Sequence, residues 1–112
     1  MTGRSDTTRR DMLLARRLDL VANVSALTAQ ALRLNQKLAG IKMDVLRLEL
    51  EIGRSGANAQ LVQDLLEAEE RAAAIMFACA ACEERIVAAE ADVEGVDRSL
   101  AAPDENYDGS QP

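Results

Sequence analysis

The sequence predicts an all-α protein, a long antiparallel two-helix hairpin of coiled-coil type that dimerises into a four-helix bundle. Three observations predict it. The first is a run of apolar positions at alternating steps of four and three from Leu61 to Leu100: Leu61, Leu65, Ala68, Ala72, Ile75, Cys79, Cys82, Ile86, Ala89, Val93, Val96, Leu100. That step averages about 3.5 residues, the repeat of a coiled-coil seam. The second is a matching run upstream: Leu13, Arg17, Leu20, Val24, Leu27, Ala31, Leu34, Leu38, Ile41, Val45, Leu48, Ile52. The third is the fit between them. Folded back at Ser55, residues whose numbers sum to 113 pair seam with seam throughout, from Ile52 with Leu61 to Leu13 with Leu100. A short connection demands antiparallel neighbours.

The elements follow in order. Residues 1–7 are expected to be a flexible terminus, and 8–102 the hairpin. Thr8 with Asp11 resembles a capping box and would open helix one, about 8–52. Arg17 alone breaks its seam, near the end, where a long side chain reaches water. Gly40 is internal and off the seam. Gly53 would stop the helix, because glycine accepts positive φ just past a C-terminus. The turn would occupy 53–57, with Ser55 or Asn58 capping helix two, about 58–101. Gly95 would mark the start of fraying and Pro103 the end of the pattern, leaving 103–112 as a disordered tail. Each helix would be about 63 Å long at 1.5 Å per residue.

Each predicted helix carries a second apolar stripe beside its seam. With Ile52 at heptad position a and Leu48 at d, the flanking stripe of helix one holds Leu14, Leu18, Val21, Leu32 and Leu46, with Met43 and Leu50 one step further round. Helix two carries Val62, Leu66, Met76 and Val87 on the same flank. In an antiparallel pair these stripes emerge on one side, while the opposite flank is mostly polar. Two helices alone cannot bury a patch of that size, and such patches mark interfaces. The simplest cover is a second copy related by two-fold symmetry. The expected interface residues are Leu14, Leu18, Val21, Leu32, Met43, Leu46, Leu50, Val62, Leu66 and Met76.

Composition excludes several classes. The chain has 112 residues, one domain at most, with no histidine, no tryptophan, one Phe and one Tyr. Platforms for stacking bases are absent, and the net charge of −6 opposes non-specific nucleic-acid binding. The charge is uneven: +3 over residues 1–53 and −9 over 54–112. Opposite halves in one chain more often attract each other than recruit separate partners. No apolar stretch is long enough to span a membrane. With no secretory signal and two cysteines, a cytoplasmic protein with reduced thiols is expected.

Chemistry has few candidates. Cys79-Ala-Ala-Cys82 has the spacing of a thiol pair or half a metal site. Both cysteines fall on the buried seam in mid-helix, however, and Glu83 and Glu84 follow, so a packing role is favoured. Di-iron bundles need Glu-x-x-His, and there is no histidine. Gly53-Arg54-Ser55-Gly56 is too short for a phosphate loop and follows no strand. No catalytic residue, cofactor or metal is expected, and the protein is read as no enzyme. The expected function is that of a structural or adaptor protein acting through helical contact with itself and with another protein. The alternatives are a small acidic secretion or assembly chaperone, and a thiol or metal protein using Cys79 and Cys82.

Overall fold

A computed structural model describes residues 2–102, with side chains from residue 7 onward. Two helices, α1 (Thr2–Ser55) and α2 (Ala59–Ala101), pack as a hairpin. Among the described residues there is no strand, and no helix is long and apolar enough to cross a membrane. The expected tail, 103–112, lies outside the described residues.

The helix ends differ from the sequence expectation in three places. α1 begins at Thr2, so Thr8 and Asp11 lie inside the helix and residues 2–7 are not a separate terminus. Nothing in that stretch forbids helical backbone, and an internal Thr is no barrier to propagation once a helix has formed. At the other end α1 runs through Gly53 to Ser55. The positive φ falls on Gly56, at 84°, whose N–H donates to the Ile52 carbonyl at 2.8 Å. Gly56 is thus the left-handed residue that closes the helix. Third, α2 continues through Gly95 to Ala101 without interruption.

The start of α2 is set by Asn58. Its Oδ1 accepts the Leu61 N–H at 2.9 Å, while its carbonyl accepts the Val62 N–H at 3.0 Å. That is an N-cap, in which a side-chain oxygen satisfies an otherwise orphaned backbone donor. Gln60 and Gln63 then donate to Asp64 and Glu67 one turn on, at 2.8 and 3.0 Å.

The chain divides into two compact units. The turn unit is Leu27–Arg85. The terminal unit is Met1–Ala26 with Ile86–Pro112, of which 2–26 and 86–102 are described. In the turn unit every expected seam position is buried or half-buried, and Leu27, Ile41, Leu48, Ala68 and Cys82 are the buried ones. Burying a Leu or Ile side chain contributes about 1.5–3 kcal/mol. The small Ala68 and Cys82 allow close approach of the two backbones.

In the terminal unit Leu13, Arg17, Leu20 and Val24 of α1 are half-buried, against the buried Ala89 and Val96 and the half-buried Val93 and Leu100 of α2. Arg17, expected to reach solvent, instead bridges to Asp97 while staying partly exposed. Its Nε donates to Oδ1 at 2.5 Å and its Nη2 to Oδ2 at 3.4 Å. The hydrogen bond to Asp97 first, and its charge second, raise the Arg17 pKa further above its ordinary value.

Candidate interaction face

Helical geometry fixes what lies beside each seam. Positions e and b follow a around the helix on one side, and g and c follow d on the other. In the turn unit the e and b side carries the second stripe. Leu32, Met43, Leu46 and Leu50 of α1, with Val62, Leu66 and Met76 of α2, are all exposed, by 39–65%. Nothing among the described residues covers them. Lys42 is the single cation on this side, whose carboxylates are Glu49, Glu69 and Glu83, with Glu70 and Glu84 one step further round.

The opposite side of the same unit is charged. Asp44, Arg47, Leu48, Asp64, Glu67 and Arg71 line an open hollow of about 200 Å³. Arg47 Nη2 lies 3.7 Å from Asp44 Oδ1, an exposed pair one turn apart. Such a surface is solvated, and Leu48 is its one apolar member.

The terminal unit repeats the asymmetry in another form. Leu14, Leu18 and Val21 are exposed on α1. The facing side of α2 presents Glu90 and Glu94, neither of which has an ion-pair partner among the described residues. Between them lies an open groove of about 420 Å³, lined by Val21, Val24, Ser25, Glu90, Val93 and Glu94. Its floor is valine and one edge is carboxylate.

All ten expected interface residues are thus exposed. The sequence reading omitted two further exposed side chains, Met12 and Phe77. Phe77 is 78% exposed and follows Met76 round the helix. The signal available for it was its type, a lone large aromatic at an off-seam position.

The cysteines sit across the seam of the turn unit as free thiols. Cys82 is buried, and its Sγ donates to the Leu27 carbonyl at 3.3 Å. The half-buried Cys79 directs its Sγ at Asn35 Oδ1, 3.6 Å away. The two thiols therefore engage α1 at levels about two turns apart. Residues three apart in a helix hold their Cβ atoms about 5–6 Å apart, wider than the 3.5–4.5 Å a disulfide requires. Among the described residues no group of three or more His, Cys, Asp or Glu side chains is placed to hold a metal ion.

No protein family, no curated protein and no solved structure matches this chain.

Proposed function

We propose that this protein is a non-catalytic scaffold or adaptor that works by helical contact, first with a second copy of itself and then with another protein. The observation that supports this most is the row of large apolar side chains left exposed beside a seam that is already closed. Exposed apolar area of that extent raises the free energy of an isolated chain in water, and association removes it. The mode is that of an amphipathic helix laid along an apolar groove. The free thiols fit a cytoplasmic, reducing setting, with packing as their role.

A second reading, a small acidic assembly or secretion chaperone, draws support from the terminal groove. A valine floor edged by Glu90 and Glu94 suits a basic amphipathic segment of another chain. For the thiol or metal reading, no group of three or more ligating side chains forms among the described residues.

The test is the mass in solution by light scattering. The chain should run at twice its 12.1 kDa or more. Leu46→Glu with Leu50→Glu should reduce it to a helical monomer. A wild-type monomer at working concentration would remove self-association from this reading, and an unchanged mass in the double variant would remove this face.

A further inference from the structure

Resting on that self-association reading, we propose how the second copy sits: it covers the apolar flank of the turn unit with the two turns side by side. A two-fold axis running along the helices would lay each α1 over the partner's α2, antiparallel and at the same level. Level within the chain is set by the seam register, which the Asn35–Cys79 and Leu27–Cys82 contacts bracket between number sums of 114 and 109. The flanking b positions of the two copies then face one another where numbers sum to 112.

That register sets apolar against apolar at three levels, while Met43 falls against the partner's Glu69 and Met76 against the partner's Gln36. Leu46 meets the partner's Leu66, Leu50 meets the partner's Val62, and Ala39 meets the partner's Ala73. Each contact occurs twice by symmetry. Lys42, the one cation on this flank, meets the partner's Glu70. Neither Lys42 nor Glu70 has an ion-pair partner among the described residues of its own chain. Opposite charges facing across the rim fix orientation more than they add affinity.

A two-fold axis across the helices, confined to the same unit, does worse. It lays α1 on the partner's α1. Centred on Leu46, it sets Leu50 against the partner's Lys42 and Met43 against the partner's Glu49. Centred on Ala39, it pairs Leu46 with the partner's Leu32 but sets Leu50 against the partner's Thr28 and Met43 against the partner's Asn35. The terminal unit, by the same number rule, sets Leu18 against the partner's Glu94. The paired apolar levels at Leu46, Leu50 and Ala39 are therefore confined to the turn unit.

The test is directed cross-linking in a Cys79→Ala/Cys82→Ala background whose mass and helicity are checked first. Leu50→Cys chains and Val62→Cys chains are mixed and oxidised. A covalent dimer joining one of each is expected from the mixture. Neither variant alone should cross-link with itself. A dimeric mass without that cross-link, or self-linking of Leu50→Cys, overturns the arrangement while leaving self-association standing. A monomeric mass overturns both. The native-cysteine chain gives an independent readout. Lys42→Glu should weaken dimerisation about fivefold, and Lys42→Glu with Glu70→Lys should restore it. Failure of the charge swap to restore affinity also counts against the arrangement.

Discussion

The turn unit and the terminal unit are built from the same two helices on one heptad plan, yet their seams are closed differently. The turn unit buries residues from both helices, Leu27, Ile41 and Leu48 against Ala68 and Cys82. Among the described residues of the terminal unit the buried ones are Ala89 and Val96, both from α2. Its α1 side offers half-buried Leu13, Leu20 and Val24, and an arginine where the heptad asks for an aliphatic. The flanks differ in the same sense. Apolar side chains stand on both helices of the turn unit, whereas in the terminal unit leucines on α1 stand opposite glutamates on α2. A single sequence period can thus hold a hairpin together along its length while giving its two units different surfaces.

The largest effect expected from this comparison is in the turn seam. Leu48 is buried, and Leu48→Ala should cost about 2–4 kcal/mol, the removed side chain plus the cavity it leaves. Leu20→Ala in the terminal unit should cost about half as much, because Leu20 is only half-buried there. Urea denaturation of the two variants gives both numbers. Equal losses would mean that the two seams are packed alike and would break the contrast.

The turn itself comes next. Gly56 holds φ at 84°, where a Cβ costs about 1–2 kcal/mol. No atom would obstruct the new methyl group, so the penalty of Gly56→Ala is purely conformational. Gly53→Ala should be neutral or mildly stabilising, because Gly53 is an ordinary helical residue. Thermal melts of the pair would test which glycine caps α1.

How much of this was legible follows from range in sequence. The seam was readable in full, since every residue at a predicted seam position is buried or half-buried. Heptad spacing is a local property, and antiparallel register follows from a short connection. The cap was misplaced by three residues because Gly53 and Gly56 offer the same chemistry. Only the Asn58 cap, which fixes where α2 starts, decides between them. The partner of Arg17 was missed for a different reason. The number-sum rule sets Arg17 against Val96, and Asp97 is the next residue along. A charged seam residue was a reason to search one step either side of its pair. The exposed flank was readable as a surface. What covers it is not written in one chain's periodicity, because a monomer's heptads specify its own seam first.

The seam arginine sharpens the comparison further. A polar residue at a seam position fixes register at some expense of stability, and an ion pair of this kind is often no more stabilising than a well-packed apolar residue. Arg17→Leu, facing the buried Val96, should therefore raise the melting temperature by a few degrees on the scale typical for a small domain. Asp97 stays half-exposed and keeps its hydration. A lower melting temperature would mean that the Arg17–Asp97 bridge, rather than apolar contact, holds the terminal unit.

The smallest effect probes how far the two units open together. Gly40 lies in α1 of the turn unit and Gly95 in α2 of the terminal unit, both inside helices. A methyl group on Gly40 meets nothing within 4 Å, and one on Gly95 meets only the Arg98 guanidinium at 3.8 Å, an ordinary contact. Each Gly→Ala change should stabilise by about 0.5–1 kcal/mol if its helix unfolds only with the whole molecule. The sparser burial of the terminal unit argues that it opens separately at lower free energy, as weakly packed segments do. Gly40→Ala should then deliver its full gain in the global denaturation midpoint. Gly95→Ala should show most of its gain as slower amide exchange within 86–101 and little in the midpoint. Equal midpoint shifts from the two variants would make the hairpin one cooperative structure, with the difference between its units confined to their surfaces.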